Sequence, residues 1–194
     1  MNKFLSLFIT SAFLASGVAI AQDATQNNKE LTFSMIKPDA AKSEQVVKDI
    51  QSIVKENGLE IKKAKKIKLS DKFFNQLYGI HKDKAFFQDL KNSILDREVV
   101  VQVLEGNNAV EKYRETMGST NPQKAADGTI RKKYGTDVTR NAVHGADSKE
   151  NALREICIFF QKEFKIECSK LLSKESIKEA INNAQEMTNE ANKE

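Results

Sequence analysis

The sequence has no tryptophan and little cysteine, histidine or proline. Only two cysteines occur among 194 residues, Cys157 and Cys168, and neither belongs to a Cys-x-x-Cys pair or a Cys/His cluster. This spacing excludes a cysteine-based metal site, which needs several such ligands close together. Cys157 lies in the apolar run 156–160, so we predict a small core residue there. Whether it pairs with Cys168 depends on the redox state of the compartment, and the sequence leaves both states open.

A large excess of charge of one sign is also missing, since 31 basic residues stand against 27 acidic ones and the net charge is +4. The sequence pI of about 8.9 is compatible with anionic ligands such as nucleotides. It is far from the strongly basic character of a nucleic-acid-binding tail. No internal repeat is present. The length and the 40% hydrophobic content therefore predict one globular domain with extensions.

The N-terminus has the pattern of a secretory signal. Lys3 is followed by the uncharged stretch 4–21, which contains several serines and ends in the small-x-small tripeptide 19–21. A membrane span needs about 20 strongly apolar residues, and this stretch is too dilute for one. We predict a signal peptide cleaved after Ala21, a periplasmic or secreted protein, and no stable membrane anchor. An uncleaved anchor is the alternative, and the polar residues 22–30 are predicted to form a flexible lead-in.

Residues 31–160 carry the signals of a single mixed domain. Alternating and β-branched runs predict strands, and apolar spacings of three and four residues predict helices. In order, they predict strand 31–36, helix 46–54, strand 59–69, helices 71–78 and 84–95, strand 99–104, helix 109–117, loop 118–140, a short strand at 142–143 and a helix ending at residue 160. Asn107 is predicted to cap the helix after the central strand. The order β-α-β-β-α-β predicts a ferredoxin-like α+β fold, an antiparallel sheet with helices on one face.

Residues 161–194 are predicted to form a separate C-terminal helical extension. Ser173 is a candidate N-cap for a helix whose apolar face is weak. A solvated or partner-docked helix is favoured over a membrane helix.

The stretch 140–148 contains the residues with the clearest chemical potential. His144 is followed by Gly145, which allows a tight or left-handed backbone, and then by Ser148 or Asp147 as the N-cap of a helix. The N–H groups at a helix start suit a phosphate, and their partial positive charge favours a neutral imidazole. A neutral imidazole is a good nucleophile at physiological pH. Taken alone, the stretch also fits a surface-loop histidine without a role.

Several further segments give this histidine a context. They are, in chain order, Thr32–Ala40, His81–Phe87, Val101–Gly106, Tyr113–Gly118, Thr120–Pro122, Gly128–Arg131, Asn141–Gly145 and Arg154–Phe160. In residue types and in order they resemble the nucleoside diphosphate kinase family over about residues 30–160. One histidine motif would be weak evidence, whereas this ordered series is specific.

The resemblance implies an enzyme that moves the terminal phosphate of a nucleoside triphosphate to a nucleoside diphosphate. The family works by a ping-pong route through a phosphohistidine, with Mg²⁺ held on the nucleotide phosphates and no metal ligand from the protein. His144 matches the nucleophile, Glu155 the carboxylate that orients it, and Tyr78 a tyrosine lining the site. The residues that match the family's nucleotide-binding positions are Lys37, Phe86, Arg114, Thr120, Arg131 and Asn141. The family forms tetramers and hexamers, so a homo-oligomer is expected.

In this pattern, Lys37 and Asn141 hold phosphate and ribose hydroxyls, and guanidinium groups grip phosphate oxygens bidentately. Phe86 matches the aromatic ring on which the base lies, and stacking hardly distinguishes one base from another. His81, the other histidine, matches a position without a catalytic role.

The sequence supports two other functions less well. The export signal also fits a non-catalytic nucleotide-binding or interaction protein on the same scaffold, because nucleoside triphosphates are expected to be scarce outside the cytoplasm. A single-strand RNA binder is disfavoured, since the central strand 99–104 has no paired exposed aromatics. No specific nucleic-acid partner is therefore expected.

Overall fold

A computed structural model describes residues 29–175 of the chain. The predicted signal peptide, residues 22–28 of the predicted lead-in and residues 176–194 of the extension lie outside these described residues. Among residues 29–175, no helix has both the length and the apolar character needed to cross a bilayer.

Within residues 29–175, four antiparallel strands form one sheet. They are β1 (Lys29–Ile36), β2 (Glu60–Lys68), β3 (Glu98–Asn107) and β4 (Val143–Gly145). Their order across the sheet is β2-β3-β1-β4, and every neighbouring pair is antiparallel. This order confirms the ferredoxin-like prediction. The short β4 pairs with β1 so that His144 lies opposite Met35.

Seven α-helices connect and cover the strands. They are α1 (Pro38–Ala41), α2 (Glu44–Glu56), α3 (Asp71–Tyr78), α4 (Phe87–Ile94), α5 (Ala109–Met117), α6 (Ile130–Tyr134) and α7 (Lys149–Phe160) within residues 29–160. Serine side chains cap three of them, because the hydroxyls of Ser43, Ser70 and Ser148 each accept a hydrogen bond from the N–H three residues later. Ser148, rather than Asp147, is therefore the N-cap of α7.

The sheet buries both of its faces, because successive side chains of a strand point to opposite sides. Val100 and Leu104 of β3 pack with α2 and α5, whereas Val101 and Val103 pack with α3, α4 and α7. The predicted β-α-β-β-α-β core has its helices on one face of the sheet. The two crossover helices of that core, α2 and α5, do lie on the same face. The second face is covered by the inserted helices and by α7, because strand β3 is apolar at every position from 99 to 104 except Gln102.

Five local predictions need correction. Strand β1 begins at Lys29, so the last two residues of the predicted lead-in belong to the sheet. Strand β3 continues through Gly106, where a Cβ would collide with the side chain of Leu59, and the helix that follows has Asn108 as its N-cap. The loop after α5 contains the short helix α6. Ser173 lies inside the helical segment 165–175 and donates to the carbonyl of residue 170, so it does not begin a helix.

The two cysteines form a disulfide, which decides the alternative that the sequence left open. Cys157 of α7 is bonded to Cys168 of the helical segment 165–175, with a Cα–Cα distance of 5.5 Å. Cys168 is buried, and Phe160 contacts Phe164 in the turn between the two helices. The bond thus ties the beginning of the C-terminal extension to α7.

Candidate active site

A pocket of about 240 Å³ opens where β1, β4, α3 and the loop after α5 meet. It is lined by Lys37, Tyr78, Phe86, Leu90, Thr120, Arg131, Val138, Thr139, Asn141, Val143 and His144. Seven of the nine predicted site residues are in this lining, although they come from positions 37 to 144 of the chain. A larger groove of about 1120 Å³ next to Arg97 and Arg140 contains neither histidine.

His144 projects into the pocket from β4 and is held by Glu155 of α7. Nε2 of the imidazole donates to Oε2 of Glu155 across 2.9 Å, and the Glu155 side chain is only 6% exposed. The ring packs against Phe33 and against the edge of Tyr78, at centroid distances of 6.0 and 5.3 Å. A carboxylate on Nε2 selects the tautomer with hydrogen on that atom. The Nδ1 lone pair is then available as a nucleophile.

The backbone around His144 differs from the sequence-based expectation. Gly145 has no positive φ; the left-handed residue is Ala142, with φ of 65°. Glycine is required at position 145 for another reason, since a Cβ there would lie 2.7 Å from ring atoms of Tyr113. The close approach of Tyr113 therefore explains this glycine.

Lys37 enters the pocket from the residue between β1 and α1. Its ammonium donates to the carbonyl of Thr139 at 2.5 Å and to Oδ1 of Asn141 at 2.9 Å. Burial lowers the pKa of Lys37 to about 8, which Asp39 partly opposes and Arg131 reinforces. A buried ammonium with two neutral acceptors keeps a strong attraction for an anion.

Arg131 of α6 is fixed by two main-chain acceptors. Nη1 donates to the carbonyl of Gly118 at 2.9 Å, and Nη2 donates to the carbonyl of Val143 at 3.1 Å. Nε is buried and has no partner among residues 29–175. Burial lowers the pKa of Arg131, and the nearby charge of Arg114 adds to this effect. A guanidinium keeps its charge regardless, so the group is a positioned cation with a spare donor.

Asn141 connects the lysine to the loop after α5. Its amide nitrogen donates to the carbonyls of Thr120 and Val138, at 3.1 and 2.9 Å. Together with the Lys37 contact, these bonds fix the orientation of the side chain.

The mouth of the pocket is apolar. Phe86 and Val138 are 51% and 55% exposed, unusually high for large hydrophobic side chains, and both line the pocket. Tyr78 lies deeper and is buried. Burial raises the pKa of its hydroxyl, and the charge of Glu155 raises it further.

Arg114 does not line this pocket. It is exposed on α5 and faces a neighbouring groove with Asp147 and Ser148. Its charge nevertheless acts on Arg131, so the two guanidinium groups are close enough to influence one another. Glu155 also lies outside the lining, because it is buried behind His144.

The match to known proteins agrees with this arrangement. The family model for nucleoside diphosphate kinase matches residues 30–164, well over half of the chain. The chain belongs to the nucleoside diphosphate kinase family. The members of this family are enzymes, and a histidine in a cationic pocket suits their phosphate-transfer chemistry.

Individual relatives support the same assignment. Nucleoside diphosphate kinase of Campylobacter lari is 51% identical over 133 residues, covering 69% of this chain and 96% of that protein. The enzyme of Campylobacter concisus is 53% identical over 129 residues, covering 66% and 93%. Among solved structures, nucleoside diphosphate kinase of Aquifex aeolicus has a TM-score of 0.63 and 35% identity, covering 68% of this chain and 95% of that one. The Halobacterium salinarum enzyme, solved in complex with CDP, has a TM-score of 0.64 and 36% identity, covering 68% and 88%.

Several residues at this kinase site were not predicted to belong to it. Val138 and Thr139 could not be predicted, because they lie in a loop without periodicity and only the fold brings them to the pocket. Arg154 donates to the carbonyls of Gln76 and Leu77 at the end of α3, at 2.8 and 3.5 Å, and its Nη2 lies 3.4 Å from Glu155. The sequence signal that could have identified Arg154 is its position next to Glu155 in the Arg-Glu-Ile motif.

Proposed function

We propose that the chain is an exported nucleoside diphosphate kinase that works by a ping-pong mechanism through phospho-His144. The observation that carries this proposal is the Nε2–Glu155 hydrogen bond of 2.9 Å, which leaves Nδ1 of His144 available in a pocket lined by the cations Lys37 and Arg131. A relay through histidine divides the transfer into two similar half-reactions, so one site serves both donor and acceptor.

In the first half-reaction, Nδ1 of His144 attacks the terminal phosphorus of a nucleoside triphosphate. An N–P bond forms, the P–O bond to the β-phosphate breaks, and the bonding electrons leave with the nucleoside diphosphate. The charge that develops on the histidine ring is balanced by Glu155, whose carboxylate is buried against Nε2. In the second half-reaction, a phosphate oxygen of another nucleoside diphosphate attacks the phosphorus and releases the imidazole.

Phosphoryl transfer otherwise depends on positioning and on neutralising negative charge. Lys37 and Arg131 are the cations inside the pocket, and the free Nε of Arg131 gives it a donor for a phosphate oxygen. Arg114 would act from the rim, and Thr120 and Asn141 would bind phosphate or ribose oxygens. Buried cations interact with an anion more strongly than exposed ones, because less water screens them.

The exposed ring of Phe86 and the side chain of Val138 would enclose the base at the mouth. Such a site holds any base by its flat face, which suits a broad range of nucleotides. The related Halobacterium salinarum enzyme was solved with CDP, and we extend this ligand class, nucleoside diphosphates, to the present chain.

We propose Mg²⁺ as the cofactor, held on the phosphate oxygens of the nucleotide. The charged side chains that line the pocket are cations, which attract phosphate rather than a metal ion, and Mg²⁺ prefers phosphate, water and carboxylate oxygens. When bound, it would neutralise charge on the phosphates. Lys37 and Arg131 would orient the remaining phosphate oxygens.

Export and oligomerisation are further parts of the proposal. A disulfide persists in an oxidising compartment, so the Cys157–Cys168 bond supports a periplasmic or secreted location. Cleavage after Ala21 would make Gln22 the first residue of the protein isolated from its native cell, and N-terminal sequencing tests this. A tetramer or hexamer is expected, and light scattering coupled to size-exclusion chromatography would count the subunits.

The activity is tested by incubating the protein, begun at Gln22, with Mg²⁺ and ATP labelled in its terminal phosphate. We expect an acid-labile, alkali-stable phosphoprotein that loses its label to added nucleoside diphosphate. His144→Ala should abolish labelling, and His81→Ala, the matched change at the other histidine, should preserve it. Equal labelling of wild type and His144→Ala would contradict the histidine relay. Nucleotide binding without any transfer would instead favour an exported nucleotide-binding protein.

A further inference from the structure

The backbone two residues before His144 adopts a conformation that alanine rarely takes. Ala142 is fully buried with φ of 65°, and the N–H of Val143 donates to the carbonyl of Asn141 at 2.7 Å. A bond from residue i+2 to residue i around a positive φ is a γ-turn, a rare and strained form. Strained backbone persists only where the surroundings hold it in place.

Two hydrogen bonds hold this turn from the junction of β1 and α1. Oδ2 of Asp39 accepts the N–H of Ala142 at 2.8 Å, and the N–H of Lys37 donates to the carbonyl of Ala142 at 2.8 Å. Both main-chain groups of the strained residue are therefore satisfied by one short segment. Of the two contacts, only the Asp39 contact uses a side chain, so only this one depends directly on residue type.

The turn determines the direction of the side chains on either side of it. Before Ala142, the Asn141 side chain points to Lys37 and to the carbonyls of Thr120 and Val138. After it, the chain enters β4, where His144 pairs with Met35 and reaches Glu155. Relaxing Ala142 to an ordinary φ would rotate these two directions relative to each other.

We propose that Asp39 is a positioning residue for phosphoryl transfer, because its carboxylate holds Ala142 in the left-handed turn that aims Asn141 and His144 into the pocket. Asp39 does not line this pocket; it lines the neighbouring, larger groove. It contacts Ala142 rather than the reacting groups. Its charge also raises the pKa of Lys37, and Asp39→Asn separates the two effects because it removes the charge and keeps the acceptor oxygen. The proposal rests on the function proposed above.

The test compares Asp39→Ala, Asp39→Asn, Ala142→Gly and the double variant Asp39→Ala/Ala142→Gly. The readout is the single-turnover rate of His144 phosphorylation by Mg²⁺-ATP, measured at pH 7 and well below the melting temperature of each variant. Removing an acceptor from a buried N–H should slow Asp39→Ala by about ten- to a hundredfold. Asp39→Asn keeps an oxygen that accepts the N–H, so we expect it to retain most of the rate.

The double variant separates positioning from stability. Glycine adopts a positive φ without steric cost, so Ala142→Gly alone should stay within about threefold of wild type. The same glycine should restore much of the rate lost in Asp39→Ala. A merely structural role would lower the melting temperature and leave the phosphorylation rate of the folded protein unchanged. That result, or a double variant as slow as Asp39→Ala, would overturn the proposal.

Hydrogen exchange at the Ala142 amide gives a readout that does not depend on activity. We expect faster exchange in Asp39→Ala than in wild type, and unchanged exchange would contradict the hydrogen bond on which the proposal stands. If wild type shows this protection but no phosphorylation, the proposed function fails. If wild type is active and Asp39→Ala matches it, only the positioning role fails.

Discussion

The Nε2 atom of His144 lies 2.9 Å from Oε2 of Glu155, and the Glu155 side chain is almost completely buried. The pair joins β4 to α7, and Tyr78 covers the imidazole from the side. A carboxylate in this position selects one tautomer of the ring and balances the charge that phosphorylation creates.

Replacing Glu155 with glutamine should slow turnover while leaving nucleotide binding nearly intact. The amide has no charge and also offers a donor, so it no longer selects the required tautomer. A hydrogen bond to a charged group contributes about 1.5–3 kcal/mol, which corresponds to a fall in kcat of about ten- to a hundredfold. Because Glu155 does not line the pocket, KM should change little. Steady-state kinetics measure both.

Glu150→Gln is the matched control for this change, since it removes the same charge from the exposed first turn of α7. It should keep the wild-type kcat. An equal loss in both variants would show that the net charge of the helix matters rather than the His144 contact.

The pH profile should report the ionisation of Lys37. Its pKa is lowered to about 8 by burial and by Arg131, against the opposing effect of Asp39 and Asp137. Below this pH the ammonium is charged and attracts phosphate; as the pH rises through about 8 it becomes neutral. We therefore expect kcat/KM, which follows the free enzyme, to fall on the alkaline side near this value.

Lys37→Arg provides the control, because a guanidinium stays charged throughout this range. The variant should be slower at neutral pH, since Arg does not fit the two acceptors of the ammonium, and its profile should lack the alkaline limb. If kcat/KM of both proteins falls at the same alkaline pH, the group that ionises there is not Lys37.

Arg131 should matter more than Arg114. Arg131 is held by two carbonyls inside the pocket, whereas Arg114 is exposed on α5. Losing one charge-assisted phosphate contact costs about 1.5–3 kcal/mol, so Arg131→Ala should reduce kcat/KM about ten- to a hundredfold, and Arg114→Ala by less. Kinetics with several nucleoside diphosphates would measure this. Lys132→Ala, an exposed neighbour, serves as the control, and a larger effect of Arg114→Ala would contradict the ranking.

Gly145→Ala should destabilise the protein and disturb His144. The added Cβ would lie 2.7 Å from the Tyr113 ring, which is fully buried and hydrogen-bonded to Ser34. Overpacking of this kind costs about 1–3 kcal/mol. Chemical denaturation should show the loss in the free energy of unfolding. Gly79→Ala is the control, because a Cβ there meets no atom of the described residues within 4 Å; comparable losses would exclude the steric explanation.

Reduction of the disulfide should lower stability without removing activity. Cys157 and Cys168 close a short loop, for which the chain-entropy effect is about 2–3 kcal/mol. Neither cysteine lines the pocket, so we expect kcat/KM to stay close to that of the oxidised protein. Urea unfolding with and without reductant measures the stability change. The Cys157→Ser/Cys168→Ser variant should be insensitive to reductant; if it is not, the reductant acts elsewhere.

The elements were largely predictable because their signals are local. The serine cap of α7, the β-branched run of β3 and the strand 31–36 depend on residues within a few positions of one another. The short helix α6 was missed, since five residues are too few to establish a period. The predicted strand 99–104 is shorter than β3, which ends at Asn107, because a glycine ordinarily signals a turn, whereas contact with Leu59 explains Gly106.

By itself, the sequence determined the order of strands and helices, the family resemblance and which residue types gather around a histidine. Only the tertiary structure decided that Cys157 pairs with Cys168, that Arg114 faces a neighbouring groove, and that Ala142 carries the left-handed backbone. Alanine has no preference for that conformation, and the Asp39 carboxylate that holds it comes from 103 residues earlier in the chain. Contacts over such separations form only when the strands pair, so no local pattern records them.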